Sequence, residues 1–140
     1  MICISVTPAS RTFAKVDLLN AARQCDLVEL CLDRLIKEPD VGDLLDGIDK
    51  PVLISCRTTR DGGQFEGTDE QRMTILRQAI VANPAYIELD YETAQVIPRF
   101  GNVKRVIAYT SMRKPFSKED IEEIFTEAKQ LDADVVKFTW

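Results

Sequence analysis

The chain has 140 residues, 45% of them apolar, a formal net charge of −5 and no histidine. This size fits one domain with its own hydrophobic core. Lys and Arg are not concentrated on any segment, which argues against a nucleic-acid partner, and the acidic balance argues against an anionic membrane. No apolar run approaches the ~18 residues of a membrane span, and no leader pattern is present. We therefore expect a soluble, cytoplasmic protein.

Four cysteines, Cys3, Cys25, Cys31 and Cys56, are the only thiols of the chain. None belongs to a C-x-x-C pair, and histidine is absent, so the sequence predicts no metal site. Three of the four fall in apolar, strand-like runs. We interpret them as buried free thiols of a reducing compartment. The chain also has neither a P-loop nor a G-x-G-x-x-G motif, so we expect no nucleotide or other cofactor.

Short β-branched runs alternate with amphipathic helical windows along the whole chain. Strands are predicted at 2–7, 27–33, 51–57, 85–91, 105–111 and 135–140, and helices at 13–24, 41–47, 69–82 and, more weakly, 93–97. Thr68 and Gln71 form a capping box at the start of the third helix. Ser117 caps a fifth helix. Its apolar stripe consists of Ile121, Ile124, Phe125, Ala128 and Leu131.

Strands that alternate with helices predict βαβ crossovers and one parallel sheet. The strands themselves alternate in polarity, because Val28, Leu30 and Leu32 share one face while Glu29, Cys31 and Asp33 share the other. An open doubly wound sheet is covered by helices on both faces, so its strands are apolar throughout. A polar face in strand after strand instead favours the inside of a (β/α) barrel. A small flavodoxin-like module, which the length favours, stays an alternative.

Lys137 is the sharpest candidate for chemistry, since it lies between apolar residues of the last predicted strand. A lysine without hydration loses its preference for the charged ammonium, and a neutral amine can attack a ketone. The alternatives are an internal ion pair with Glu29 or Glu88, or a side chain that reaches the rim. Arg57 ends the third strand, where it can bind a carboxylate in bidentate fashion or form a rim salt bridge.

Acidic residues also fall on the polar face of the strands: Glu29, Asp33, Glu88 and Asp90. Carboxylates close to an internal lysine could stabilise its ammonium or orient hydroxyl groups of a substrate. A structural ion-pair network explains them equally well. The Gly62-Gly63 pair after the third strand indicates a turn, with close approach to a ligand as the other interpretation.

Six short segments, one in each predicted strand, resemble the motifs of a known family in sequence and in order. They are Ile-Ser-Val at 4–6, Val-Glu-Leu-Cys-Leu-Asp at 28–33, Pro-Val-Leu-Ile-Ser-Cys-Arg-Thr at 51–58 with Asp-Gly-Gly at 61–63, Tyr-Ile-Glu-Leu-Asp at 86–90, Val-Ile-Ala-Tyr-Thr at 106–110 and Ala-Asp-Val-Val-Lys at 133–137. Together they resemble the type I 3-dehydroquinate dehydratase family. The resemblance implies a (β/α)8 TIM barrel, of which residues 1–140 would form a single partial domain of about six strands and five helices. The last two βα units would be absent.

The resemblance also implies a function, the dehydration of 3-dehydroquinate to 3-dehydroshikimate in aromatic amino-acid biosynthesis, through a lysine imine without metal. Lys137 matches the imine-forming lysine. Ser5, Glu29, Arg57 and Asp61 match substrate-binding positions, although Asp61 replaces a glutamate. The family's catalytic histidine on the fifth strand falls on Thr110, and an arginine of the second strand falls on Cys31.

Those departures leave a second hypothesis open, a non-catalytic barrel descendant that binds a polyhydroxy acid. Loss of a general acid–base group typically costs about 10²–10⁴-fold in rate, so we expect impaired turnover. The family is usually dimeric, and an unclosed sheet leaves a strand edge that favours association. A homodimer is therefore expected.

Overall fold

The computed structural model describes residues 1–35 and 37–140. Its six strands are β1 (Cys3–Val6), β2 (Leu27–Cys31), β3 (Val52–Ser55), β4 (Tyr86–Leu89), β5 (Lys104–Thr110) and β6 (Val135–Thr139). Its five α-helices are α1 (Arg11–Ala22), α2 (Val41–Leu45), α3 (Asp69–Val81), α4 (Tyr91–Val96) and α5 (Lys118–Gln130). A 3₁₀ helix, Thr59–Asp61, follows β3. Every strand and helix predicted from the sequence is confirmed.

The strand order decides between the two predicted architectures. All six strands are parallel and lie in the order β1-β2-β3-β4-β5-β6. A doubly wound sheet reverses its order at a switch point, whereas a barrel adds each strand beside the previous one. The sheet is therefore six consecutive strands of a TIM-barrel wall, a half-barrel with its helices outside. The doubly wound alternative is wrong.

The apolar face of each strand packs under the helices. A single core cluster joins the outward-facing side chains of β2, β3, β4 and β5, including Val28, Ile54, Ile87 and Ile107, to the inner sides of α1 and α3. Burying one such side chain contributes about 1.5–3 kcal/mol. The polar face is left to line the inside of the half-barrel, as the alternation predicts.

Helix starts follow the capping side chains. Thr68 and Gln71 form the predicted capping box, and Ser117 and Asp120 form a second one. α1 begins two residues earlier than predicted, because Ser10 accepts a hydrogen bond from the Phe13 N–H. α4 also begins earlier, because Asp90 caps it.

The cysteine prediction is correct for three residues and wrong for one. Cys25, Cys31 and Cys56 are buried free thiols, but Cys3 is exposed. Cys3 lies on β1, which pairs with β2 on one side and has no other neighbouring strand among the described residues. Within residues 1–35 and 37–140, no helix is long and apolar enough to cross a membrane.

Candidate functional site

Four charged side chains, three from strands and one from the loop after β3, form one group on the inner face. We call Glu29, Arg57, Glu88 and Lys137 the charge cluster. Lys137 Nζ donates to Glu88 Oε2 at 2.8 Å and to Glu29 Oε1 at 3.3 Å. Arg57 Nε donates to Glu88 Oε1 at 2.6 Å, and its terminal nitrogen donates to Glu29. Two cations and two carboxylates make the cluster formally neutral.

Glu29 is the most heavily bonded member of the cluster. Besides the two cations, Ser5 Oγ donates to its Oε2 at 2.5 Å and Ser55 Oγ to its Oε1 at 3.1 Å. Burial raises the pKa of Glu29, but the Ser5 hydrogen bond and the charges of Arg57 and Lys137 together lower it below its ordinary value of 4.5. Glu29 is therefore an ionised carboxylate at neutral pH.

The two cations differ in their surroundings. Burial lowers the pKa of Arg57, but the hydrogen bond and charge of Glu88 outweigh it, and the net shift is upward. The Lys137 side chain is 30% exposed, and its hydrogen-bonding partners are carboxylates, whereas the sequence suggested apolar walls. The internal ion pair that the sequence left open is therefore present. Lys137 lies inside the half-barrel within reach of solvent.

A cavity of about 20 Å³ borders the charge cluster. It is lined by Cys56, Arg57, Asp61, Arg72, Glu88, Asp90, Ala108 and Thr110. Asp61 and Thr110, predicted as site residues, therefore lie beside Arg57 and Glu88. Asp61 ends the 3₁₀ helix and accepts a hydrogen bond from Thr58 Oγ1 at 3.3 Å.

Arg72 reaches this cavity from α3. Its terminal nitrogens donate to Asp90 Oδ2 at 2.7 Å and to the Cys56 carbonyl at 3.1 Å. Burial raises the pKa of Asp90, but the Thr93 backbone N–H and the Arg72 charge outweigh it and lower the pKa. Asp90 is consequently ionised, and one carboxylate both caps α4 and pairs with a buried guanidinium.

Gly63 lets the loop after β3 lie directly on Arg57. A Cβ built on Gly63 would come 2.2 Å from the Arg57 carbonyl oxygen and 2.4 Å from the Arg57 Cβ. The loop is also joined to Arg57 by the Phe65 N–H, which donates to the Arg57 carbonyl at 3.1 Å. The turn predicted for the Gly62-Gly63 pair is confirmed, since Gly62 has a φ of 79°. The close approach at Gly63 is to the protein's own backbone.

The structure brings the predicted site residues into one region. Ser5, Glu29, Arg57 and Lys137 are joined by hydrogen bonds, and Asp61 and Thr110 line the adjoining cavity. Asp33, also on the polar face, lies apart and accepts a hydrogen bond from the Gln64 N–H.

The sequence analysis did not assign Ser55 or Arg72 to the site, nor Glu88 as the shared partner of both cations. The alternation of side chains along the strands could have placed Ser55 and Glu88 on the polar face. For Arg72, the signal was its spacing, because it lies four residues before the buried Leu76 on the apolar side of α3.

The described residues of the site can also be considered as metal ligands. Among the residues that the structure describes, no group of three or more His, Cys, Asp or Glu side chains could hold a metal ion. The available chemistry is that of an amine, two carboxylates and a guanidinium. An amine beside a carboxylate can exchange a proton and attack a carbonyl, and a guanidinium can bind an anion.

Comparison with known proteins assigns the chain to a family. The profile of the type I 3-dehydroquinase family matches residues 2–140. The chain belongs to the type I 3-dehydroquinase family. The resemblance drawn from the six sequence segments is thereby confirmed.

Two relatives and one solved structure illustrate the similarity. The 3-dehydroquinate dehydratase of Methanocaldococcus jannaschii is 29% identical over 145 residues, covering 99% of this chain and 65% of the relative. The 3-dehydroquinate dehydratase of Desulfotalea psychrophila is 31% identical over 104 residues, which cover 74% of this chain and 45% of the relative. The 3-dehydroquinate dehydratase structure from Enterococcus faecalis superimposes with a TM-score of 0.78 at 18% identity, covering 97% of this chain and 64% of that one. The chain thus spans less than two thirds of the length of these type I 3-dehydroquinases.

Proposed function

We propose that this chain carries the imine-forming part of a 3-dehydroquinate dehydratase site, with Lys137 as the nucleophile. The observation that supports the proposal best is the position of Lys137 Nζ, 2.8 Å from Glu88 Oε2 and on the inner face of the half-barrel. A surface lysine would lie in water without two buried carboxylates. The reaction would form 3-dehydroshikimate, for the biosynthesis of aromatic amino acids.

The first step would use the contact between Lys137 and Glu88. Transfer of one ammonium proton to Glu88 Oε2 frees the nitrogen lone pair, which attacks the C3 ketone of the substrate. Loss of water from the carbinolamine gives a protonated imine. That imine acidifies C2, so a base can remove the C2 proton. The C1 hydroxyl then leaves as water, and hydrolysis of the imine returns the lysine.

The other site residues would bind and orient the substrate. Arg57 is the group suited to the substrate carboxylate, because a guanidinium forms two parallel hydrogen bonds to it. Ser5, Glu29 and Asp61 offer acceptors and donors for hydroxyl groups. Thr110 would position a hydroxyl or a water, since a threonine hydroxyl is no base near neutral pH.

Reductive trapping tests this proposal directly. The chain is incubated with 3-dehydroquinate, reduced with borohydride and measured by mass spectrometry, with peptide mapping of the adduct. We expect a covalent adduct on Lys137. Equal labelling of exposed lysines such as Lys118, or no adduct at any substrate concentration, would contradict it.

A second function has one specific observation in its favour. Thr110 stands where the family resemblance places a catalytic histidine, and the chain has none. A descendant that only binds a polyhydroxy acid would keep Arg57 and Glu29 but need no base. It predicts saturable, reversible binding of 3-dehydroquinate by calorimetry with no adduct after borohydride.

We further propose that two copies of the chain associate through a sheet edge. β1 and β6 each pair with one neighbour among the described strands. Exposed apolar side chains flank both edges, including Ile2 beside β1 and Val135 on β6. Unpaired strand edges with apolar flanks favour self-association.

A further inference from the structure

We propose that the cavity between β4, β5 and α3 binds one ordered water molecule, held by Arg72, and that this water carries protons to and from Glu88. The water site stands on geometry alone. Its role as a proton carrier rests on the imine function proposed above. The two parts are tested separately.

The first argument is an unpaired donor. Arg72 is 5% exposed, and two of its three nitrogens have protein acceptors. Its Nε is buried and has no hydrogen-bond partner within residues 1–35 and 37–140. Leaving a buried donor unpaired costs about 1–3 kcal/mol, and more for a charged group, so an acceptor beside it is strongly favoured.

The second argument is the volume and polarity of the cavity that Arg72 lines. Its volume of about 20 Å³ exceeds the roughly 10–15 Å³ that one water requires. A buried water also needs two to four polar partners, roughly three on average. Glu88, Asp90 and the Thr110 hydroxyl, which also line this cavity, offer acceptors and a second donor.

Charge excludes the other small occupants. The lining contains two guanidiniums, Arg57 and Arg72, and three carboxylates, Asp61, Glu88 and Asp90, for a formal charge of −1. An anion would be repelled by that excess of negative charge. A cation could not accept the hydrogen bond that Arg72 Nε has to give. A neutral molecule that both donates and accepts satisfies both conditions, and water is the one small enough.

The position of the water gives it a function. Glu88 lines the cavity and contacts Lys137 Nζ, so it lies between the water and the amine. A proton taken by Glu88 from the ammonium can pass to the water while the water gives a different proton to Asp61, which lines the same cavity. Charge and atoms balance, because the water gains one proton as it loses another. The ammonium proton can therefore leave Glu88 without a basic side chain at Thr110.

A crystal structure that orders single waters tests the site. The variant Arg72→Lys keeps a cation for Asp90 but removes the Nε donor, and Arg77→Lys, at an exposed position of the same helix, is the matched control. We expect one water within hydrogen-bond distance of Arg72 Nε in the unaltered chain and in Arg77→Lys, and none in Arg72→Lys. A dry cavity, an ion in its place or a water that persists in Arg72→Lys would overturn the proposal. The unaltered chain alone decides the case if Arg72→Lys does not fold.

The proton-carrier role is tested by the rate of adduct formation on Lys137. We expect Arg72→Lys to form the borohydride-trapped adduct about 10-fold or more slowly than Arg77→Lys, since a lost proton-transfer group typically costs about 10²–10⁴-fold. Equal rates after loss of the water would refute the carrier role. If the unaltered chain forms no adduct, the imine function fails, and the carrier role fails with it. The crystallographic result for the water is independent of both.

Discussion

Lys137 stabilises the fold as well as serving as the candidate nucleophile, because its ammonium compensates two carboxylates that are almost fully buried. Removing it in Lys137→Met leaves Glu29 and Glu88 with Arg57 as their remaining cation. At 30% exposure the loss lies between the about 1 kcal/mol of a surface pair and the about 3–5 kcal/mol of a buried one. Urea unfolding measures this loss, and borohydride trapping measures the lost adduct.

Lys118→Met is the matched control for that variant. Lys118 is exposed and its carboxylate partner Glu122 is 3.9 Å away, so its removal should change stability by less than about 0.5 kcal/mol. Adduct formation should be unaffected. An adduct that persists in Lys137→Met would show that Lys137 is not the reactive lysine.

Glu29 makes stability depend on pH in the acid range. Its pKa is lower in the folded state than its ordinary value of 4.5, so the unfolded chain binds a proton more readily. The stability that Glu29 contributes is therefore complete above about pH 4.5 and is lost as the pH falls through the lower, folded pKa. Glu29→Gln should flatten the fall of unfolding free energy below pH 4.5. An unchanged slope in Glu29→Gln would assign the acid sensitivity to other carboxylates.

At the scale of the elements, the capping box of α3 gives a direct stability test. Thr68→Ala removes the acceptor for the Gln71 N–H and should cost about 1 kcal/mol of unfolding free energy. Thr74→Ala makes the same chemical change inside α3, where alanine is the better helix former, and should not destabilise. Equal losses in both would mean that the cap contributes nothing.

The loop after β3 depends on the missing side chain of Gly63. Gly63→Ala places a methyl group against the Arg57 backbone, which should cost about 1–3 kcal/mol and displace Arg57 from Glu88. Gly42→Ala is the control, because a Cβ added at Gly42 would lie 3.6 Å from its nearest neighbour, Asp40 Oδ1, and alanine is favoured in a helix. Thermal unfolding of both variants measures the difference. Similar stability would show that the loop moves freely off Arg57.

Element boundaries were predictable wherever the sequence carries its own signal. Thr68 and Gln71 fixed the start of α3, and the alternation around Glu29 fixed which face of β2 is polar. The starts of α1 and α4 were missed by two residues, because the capping roles of Ser10 and Asp90 were not recognised in the sequence. The local sequence pattern therefore predicted which elements form the half-barrel, but it did not predict where every helix begins.

For the whole molecule, the sequence predicted a parallel sheet with a polar inner face, and strand parity placed Glu29 and Glu88 on it. It could not predict that Arg57 and Lys137 would share both glutamates. That arrangement depends on the curvature of six strands and on side chains 108 residues apart, Glu29 and Lys137. Arg72 was missed because its register with the buried Leu76 indicates the side of α3 on which it lies but not its partners, Asp90 and the Cys56 carbonyl.

The proposed association of two copies through a sheet edge can be tested at β6. Val135 lies on β6 and is 43% exposed. A charge placed on a strand edge prevents pairing with another edge, so Val135→Lys should shift the chain towards monomer. Val96→Lys is the matched control, because Val96 is 59% exposed but lies on α4, away from both edges. Light scattering over a range of concentrations should give dimers for the unaltered chain and Val96→Lys. A monomer at high concentration, or equal dissociation of both variants, would place the association surface elsewhere or remove it.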